Sequence, residues 1–281
     1  MKRICIVGCS RSGTTIMQNE MGKYFDVCCF PETGYFLDGL DNYAARIKAM
    51  YRLQSMYSNK VTPPYNFLFK LNKTKDAIKY WTPQLGLKKF FYCITSKEHS
   101  ILLWVTYLDQ LANKLGYSTW VEKTPKHFYR LEYIEAISPK PYIIYIIRQG
   151  NDVVASIYDR SLKYPHWFGH ENIEFAINLW NSSVNIALEK ANNSECIFVR
   201  YEDLINRKYS LMTNIQREIN LSLRKTKSTS VITRDNEHWK TSALDKASNQ
   251  KKKWLSLFTE KQRNEIDSKL DWDSYKKIDF I

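Results

Sequence analysis

The N-terminal stretch constrains the fold more than any other part of this chain. The apolar run 4–7 is followed by a loop in which Gly8 and Gly13 stand in the spacing G-x-x-x-x-G, and a helix is predicted to begin at Thr14. Such a loop turns successive backbone N–H groups toward an anion, and the helix N-terminus adds partial positive charge. Nucleotide hydrolases carry a lysine after the second glycine, whereas this chain has Thr14 there and Arg11 inside the loop. The stretch therefore predicts a strand, a loop for a phosphate-like group, and a chemistry other than the usual one of magnesium and ATP.

Strand-like and helix-like segments alternate along the rest of the chain. Apolar runs predict four further strands, at residues 27–30, 119–122, 142–147 and 196–200. Helices are predicted over 37–57, from an N-cap at Ser96, after Pro125, and from a cap at Asn151 or Asp152. The pattern predicts an α/β fold with a doubly wound parallel sheet, in a single domain over residues 1–281.

Positive charge is concentrated after the second strand. The chain has 42 Lys and Arg against 29 Asp and Glu, a formal charge of +13, and residues 46–92 hold ten cations against Asp76 alone. This charge indicates an anionic partner, such as nucleic acid, an anionic cofactor or an acidic acceptor. We interpret residues 38–95, which are also rich in aromatic side chains, as an insertion that binds an acceptor. The alternative is a small helical subdomain with an aromatic core and solvated lysines.

The remaining sequence features concern the C-terminal part and the cellular location. Residues 220–254 are polar and irregular, which predicts a lid or a cofactor-binding loop. Six cysteines without a C-x-x-C pair predict reduced, buried thiols. No apolar run approaches the roughly 20 residues of a membrane span, and the first strand leaves no room for a signal peptide, so we expect a soluble cytoplasmic protein.

A second anion site is predicted at the end of the fourth strand. Arg148 ends that strand, and Ser156 lies eight residues later in the next helix, so both can point at one anion outside the sheet. The alternative is that Arg148 pairs with Asp152 and that Ser156 lies on a helix surface. Two anion sites at two strand ends of one sheet indicate a ligand with two separated phosphate-type groups.

A metal site is not expected. Phosphoryl transfer with magnesium needs the loop lysine, which is absent here, although Glu122 could serve as the acidic residue at a neighbouring strand end. His166 and His170 are the only histidine pair at a ligand-like spacing, and no third ligand lies near them in the sequence.

Four segments form an ordered set of motifs. Residues 8–15 read G-C-S-R-S-G-T-T, and residues 145–156 fit Y-x-x-R-x-x-x-D-x-x-x-S at every position. Residues 122–125 read E-K-T-P, and residues 200–204 read R-Y-E-D-L. This set resembles the sulfotransferases that use 3′-phosphoadenosine 5′-phosphosulfate. It is closer to their Golgi and bacterial branches, whose loop carries an arginine, than to the cytosolic branch, whose loop carries a lysine.

The resemblance implies a fold like that of the nucleotide kinases. This is a three-layer α/β structure with a five-stranded parallel sheet, the loop's strand at its centre, and a helical or irregular insertion after the second strand. It also implies in-line sulfuryl transfer without a metal. The residues it assigns to donor binding are Cys9, Ser10, Arg11, Ser12, Gly13, Thr14, Thr15, Arg148, Ser156, Lys251, Lys252 and Trp254.

The resemblance further implies catalytic roles. Arg11 and Lys123 would stabilise charge on the leaving nucleotide. The acceptor hydroxyl needs a base, for which Glu32, just after the second strand, is preferred and His127 is the competitor. Glu32 could instead be a turn carboxylate that caps the following helix. The acceptor would be a glycan, a small metabolite or a tyrosyl group.

Two other classes of function remain as alternatives. The chain could be a P-loop kinase, against which the missing lysine and the pair of Arg148 and Ser156 argue. It could also be a catalytically silent protein that binds a nucleotide or RNA, although nucleic acid is the less favoured partner because Arg11, Glu32 and Arg148 are all present.

Overall fold

The computed structural model describes residues 1–55, 87–191, 195–224 and 251–281. The strands are β1 (Lys2–Val7), β2 (Cys28–Phe30), β3 (Thr119–Lys123), β4 (Tyr142–Ile147) and β5 (Cys196–Arg200). The helices are α1 (Thr14–Tyr24), α2 (Tyr43–Ser55), α3 (Leu87–Thr95), α4 (Lys97–Lys114), α5 (Leu131–Glu135), α6 (Gly150–Lys163), α7 (Pro165–Phe168), α8 (Ile173–Glu189), α9 (Tyr201–Asn206), α10 (Lys208–Ile219), α11 (Lys251–Leu257), α12 (Glu260–Lys269) and α13 (Trp272–Lys276), with a 3-10 helix at Pro125–Arg130.

The five strands form one parallel sheet in the order β2-β3-β1-β4-β5. The predicted α/β class, the five-stranded parallel sheet and the central position of the loop's strand are confirmed. Ile4 of β1 lies opposite Val121 on one side and Tyr142 on the other, so the central strand is enclosed by neighbours. Because all strands are parallel, their carboxyl ends lie along one edge of the sheet, where ligands of such folds bind.

Helices cover both faces of the sheet, which explains why β1 and β4 are apolar throughout. On one face, side chains of α1 and α10, such as Met17 and Ile215, pack with Ile4 and Ile144. On the other face, buried side chains of α4 and α8, such as Trp104 and Trp180, belong to one core with Cys5 and Tyr145 of the sheet. The result is the predicted three-layer arrangement.

Several predicted boundaries differ from the structure. The helix predicted over 37–57 begins only at Tyr43, because residues 35–42 form turns. The helix after β4 follows an N-cap at Gln149, so Asn151 and Asp152 lie inside its first turn and do not cap it. The segment after Pro125 starts as a 3-10 helix. The predicted N-cap at Ser96 is present, and Thr259 forms a capping box at the start of α12.

The two segments predicted as insertion and lid lie largely outside the described residues, at 56–86 and 225–250. Residues 222–224 are part of the folded body, because Leu223 forms a bridge with Phe25 and Arg224 N donates to the carbonyl of Tyr24. The six cysteines are free, and all but Cys196 are buried. Among the described residues, no helix is long and apolar enough to cross a membrane.

The loop after β1 depends on two glycines with positive φ. Gly8 has φ of 144°, and a Cβ there would lie 2.2 Å from the carbonyl oxygen of Ile146 in the neighbouring strand. Gly13 has φ of 95°, and a Cβ there would lie 2.3 Å from the ring of Tyr201. The loop is therefore held close to β4 and to the residue that follows β5.

We predict that Gly8→Ala destabilises the protein far more than Gly116→Ala. Both positions have positive φ, which costs an alanine about 1–2 kcal/mol, but nothing lies within 4 Å of a Cβ at Gly116. At Gly8 the methyl would meet backbone, so we expect an additional loss of about 1–3 kcal/mol in the free energy of unfolding. Urea denaturation of both variants measures this difference, and equal losses would contradict the prediction.

Candidate active site

The loop between β1 and α1 leaves backbone donors available to an anion. The N-cap of α1 is Gly13, which has no side chain to accept a hydrogen bond. The first N–H groups of α1 are therefore not capped by the N-cap residue. The loop is tied down by Gly8 N, which donates to the carbonyl of Pro125, and by Ser12 N, which donates to the carbonyl of Cys9. Cys9 is itself buried in the core, where burial raises the pKa of its thiol. Cys9 can thus serve an anion only through its backbone.

Arg11 is the cation of this loop. It has φ of 73°, a left-handed conformation unusual for arginine, and its Nε donates to Ser156 Oγ at 3.1 Å. Burial, together with the neighbouring guanidinium groups of Arg160 and Arg148, lowers the pKa of Arg11. Within the described ranges no carboxylate forms an ion pair with Arg11. A half-buried cation that faces two like charges favours an anion at this place.

Arg148 stands beside Arg11 at the end of β4. Its buried guanidinium pairs with Asp152 Oδ2 at 2.9 Å, lies 4.6 Å above the ring of Tyr201, and reaches the carbonyl of Arg11 at 3.4 Å. The alternative pairing with Asp152 is thus present, but it does not take Arg148 away from the loop. Arg148 Nε and the hydroxyl of Tyr201 are buried without a hydrogen-bond partner. The predicted members Arg11, Arg148 and Ser156 lie together.

Arg160 is a member of this cluster that the sequence reasoning missed. It lies on α6 one turn after Ser156, pairs through Nη2 with Glu171, and stacks on the ring of Phe168 at 4.1 Å. Its Nε is buried and has no hydrogen-bond partner. The spacing i, i+4 from Ser156 places it on the same helix face, and this was the signal available in the sequence.

The segment predicted to complete the donor site begins α11. Lys253 Nζ lies 2.6 Å from Asp159 Oδ2, which fastens α11 to α6, the helix of Ser156. Burial opposes the charge on Asp159, but its bonds to Lys253 and Lys163 lower the pKa below the usual value. The ring of Trp254 packs edge-on against Phe258 at 5.3 Å. The side chains of Lys251 and Lys252 lie outside the described part of the chain.

Glu32 and Lys123 meet at the ends of β2 and β3. The ammonium group of Lys123 forms a short ion pair with Glu32 Oε1. Lys123 is almost wholly buried, whereas about a third of the Glu32 side chain is exposed. The structure therefore brings together the two catalytic candidates of this edge.

Glu122, the neighbour of Lys123 in β3, and His127, in the 3-10 helix that follows, are both fully buried. Glu122 Oε1 accepts hydrogen bonds from Thr33 N at 2.9 Å and from the hydroxyl of Thr124 at 2.6 Å. Burial opposes ionisation of Glu122, but His127 and these hydrogen bonds hold its pKa below the usual value. His127 Nδ1 lies 3.5 Å from Glu122 Oε2, and its Nε2 accepts from Phe36 N at 3.2 Å. Both nitrogens of His127 thus face protein groups.

The described residues contain no group of three or more His, Cys, Asp or Glu side chains placed to hold a metal ion. Glu122, which could have served as the acid of a magnesium site, is directed at Thr33, Thr124 and His127.

The chain belongs to the sulfotransferase family, because the Sulfotransferase family profile matches residues 3–225. The sulfotransferase domain of the olefin synthase from Synechococcus PCC 7002 is similar in structure over 95% of this chain and 93% of that domain, with 13% identity and a TM-score of 0.58. Sulfotransferase STF9 from Mycobacterium avium is similar over 99% of this chain and 78% of that protein, with 12% identity and a TM-score of 0.50. At such identities the likeness shows the fold alone. No curated protein sequence matches the chain.

Family and fold together support sulfotransferase activity, and the resemblance that the motifs indicated is confirmed at this level. The roles of single residues, the donor and the acceptor stay predictions.

Proposed function

We propose that this protein transfers a sulfuryl group from 3′-phosphoadenosine 5′-phosphosulfate to a hydroxyl acceptor without a metal. The observation that carries the proposal is the cluster of Arg11, Arg148 and Ser156 around a loop with uncapped backbone donors. These groups come from two adjacent strand ends, which suits a ligand with two separated anionic groups.

The residues present fit such a donor. The loop residues from Cys9 to Thr15 would hold the 5′-phosphosulfate through backbone N–H groups, with Arg11 as the cation. Arg148, Ser156 and Arg160 would hold the 3′-phosphate, since bidentate guanidinium groups suit phosphate oxygens. Buried donors without partners at Ser12 Oγ, Arg148 Nε and Arg160 Nε support this assignment, because such groups are costly unless a ligand satisfies them.

The segment of Lys251, Lys252 and Trp254 would close over the nucleotide. Its place on α11, fastened to α6 by the pair of Lys253 and Asp159, supports this role. We further propose that residues 1–281 act as one domain, with 38–95 binding the acceptor and 220–254, apart from the packed residues 222–224, covering the donor. A cytoplasmic location likewise stays a prediction.

In this proposal the catalytic groups are Glu32 and Lys123, at the ends of β2 and β3. When bound, the donor supplies the sulfuryl group, and its departure leaves negative charge on the nucleotide phosphate. Arg11 and Lys123 would stabilise that charge as fixed cations in a site already built to receive it. Glu32 would take the proton of the acceptor hydroxyl as the acceptor oxygen forms its bond to sulfur.

Glu32 is preferred to His127 as the base. About a third of its side chain is exposed, whereas the imidazole of His127 is fully buried, with one nitrogen toward Glu122 and the other accepting from Phe36 N. A base must come within hydrogen-bond reach of the proton that it removes, which favours the exposed group.

The acceptor that we propose is an anionic glycan. Support comes from the ten cations and many aromatic residues of 46–92, because lysines can meet acidic substituents and aromatic faces can stack on sugar rings. Arg46 does not belong to this surface, since it is buried and donates to the carbonyls of Leu40 and Ile94. Lys48 and Arg52 share Asp38, and two lysines of α3 are exposed. The other five cations lie outside the described residues.

For the donor, we predict that adenosine 3′,5′-bisphosphate binds the wild type and binds Arg148→Gln about 10- to 100-fold more weakly. The loss corresponds to charge-assisted hydrogen bonds of about 1.5–3 kcal/mol. Isothermal titration calorimetry measures it, with Arg217→Gln on the exposed face of α10 as the control of equal charge. A rise in the thermal unfolding temperature with ATP and magnesium, and none with adenosine 3′,5′-bisphosphate, would instead favour the alternative that the protein is a P-loop kinase.

For the base, we predict that Glu32→Gln lowers kcat by about 10²- to 10⁴-fold and removes the fall in activity at acid pH. His127→Gln should keep that acid limb, even if it is less stable. Rates of transfer from the radiolabelled donor, measured from pH 4.5 to 8, separate the two. Loss of the acid limb in His127→Gln alone would reverse the assignment.

For the acceptor, we predict faster transfer to an acidic glycan such as desulfated chondroitin than to the neutral phenol 2-naphthol. The positive charge of the insertion should lower KM for the polyanion, and this advantage should shrink as salt rises. Equal kcat/KM for the two acceptors at low salt would refute the proposed acceptor class. The proposal for the donor would not be affected.

A further inference from the structure

The fully buried Glu122 lies between the residues that carry the proposed chemistry. Glu122 and Lys123 are consecutive at the end of β3, and Glu32 and Thr33 are consecutive just after β2. Consecutive side chains of extended backbone point to opposite sides. On one side Lys123 pairs with Glu32, and on the other Glu122 Oε1 accepts from both the N–H and the hydroxyl of Thr33. The two strand ends are thus linked twice, once on each side.

The turn that carries Glu32 depends on side chains for its backbone hydrogen bonds. Four consecutive N–H groups, from Thr33 to Phe36, all donate to side chains: to Glu122 Oε1, Thr124 Oγ1, Thr33 Oγ1 and His127 Nε2. Three of these acceptors belong to residues 122–127. The position of this turn is therefore set by the segment that also carries Lys123.

Within this network Glu122 is the group whose loss has the widest effect. One of its oxygens binds three donors, with the hydroxyl of Thr124 as close as 2.6 Å, and the other faces His127 at 3.5 Å. A buried carboxylate of this kind is stable only while its donors stay in place, so it restricts the turn more strongly than a neutral acceptor would.

We propose that Glu122 is a positioning residue, which fixes the turn 32–36 against β3 and thereby sets the contact between Glu32 and Lys123. The inference rests on the proposed function of Glu32 and Lys123. Glu122 is fully buried and bonded to Thr33 and Thr124, so it acts through these neighbours and not by contact with a substrate. It should therefore affect turnover far more than the affinity for the nucleotide, which depends mainly on Arg11 and Arg148 at other strand ends.

The first experiment needs no turnover. Amine acetylation of the full chain, followed by mass spectrometry, reports how often Lys123 leaves its buried contact. We expect Lys123 to react about tenfold faster in Glu122→Gln than in the wild type, with Lys190, which pairs with Glu135 at the far end of α8, as the internal reference. Unchanged protection of Lys123 relative to Lys190 would overturn the proposal, whether or not the protein proves to be a sulfotransferase.

The second experiment compares turnover with nucleotide binding. Glu122→Gln and Thr33→Val should each lower kcat at least tenfold while the Kd for adenosine 3′,5′-bisphosphate stays within twofold, and Thr33→Ser, which keeps the hydroxyl, should recover most of kcat. Ser183→Ala removes a buried hydroxyl that contacts Tyr145 Oη, away from this edge, and should lower stability without lowering kcat. Losses of kcat no larger than that of Ser183→Ala, or a matching rise in Kd, would overturn the proposal.

A double-mutant cycle tests whether Glu122 acts through Glu32. In a Glu32→Gln background, Glu122→Gln should reduce the remaining activity less than threefold, because the residue that it positions has already been disabled. A further loss as large as in the wild type would show an independent role for Glu122 and contradict the inference. A wild type without sulfuryl transfer to any acceptor would instead refute the proposed function. The acetylation result would still show whether Glu122 maintains the contact between Lys123 and Glu32.

Discussion

The buried guanidinium of Arg148 joins the parts of the molecule on which the proposed donor site depends. It pairs with Asp152 at the start of α6, lies on the ring of Tyr201 after β5, and reaches the carbonyl of Arg11 in the loop after β1. Trp180 also donates to the carbonyl of Arg148 from α8. Because Arg11 has no ion-pair partner among the described residues and stands beside Arg148, the site holds excess positive charge. Occupation by an anion would relieve that repulsion and so stabilise the fold.

The sheet order separates the two proposed sites along one edge. β1 and β4, at the centre, present the loop and Arg148, whereas β2 and β3 present Glu32 and Lys123. Since β1 lies between β3 and β4, both groups border the same loop. A buried network of Glu122, His127 and neighbouring hydroxyls stiffens the second region, whereas ion pairs and ring contacts stiffen the first. Each region can therefore be disturbed without the other.

Features with a strong local cause were predictable. The fully apolar run of β4 and the glycine spacing of the loop each follow from a few adjacent residues, and both are present as expected. Predictions failed where local preference was weak, as at the start of α2, or where a turn overrode a capping residue, as at Asn151. The approach of Arg160 to the loop follows from helix geometry that the sequence contains, but its pairing with Glu171 depends on a bend of the chain that no local pattern indicates.

The amino-acid sequence by itself determined the class of fold, the glycine-containing loop after β1 and the family, because these depend on the order and spacing of residues along the chain. Only the tertiary structure decided which candidates meet. Glu32 and Lys123 are 91 residues apart and Arg11 and Ser156 are 145 apart, yet each pair is in contact. Tertiary structure also distinguishes Glu32, the base preferred from the sequence, from its competitor His127, because the Glu32 side chain is partly exposed whereas His127 is enclosed. Burial and long-range contact arise from the packing of the sheet against its helices, which no single stretch of sequence contains.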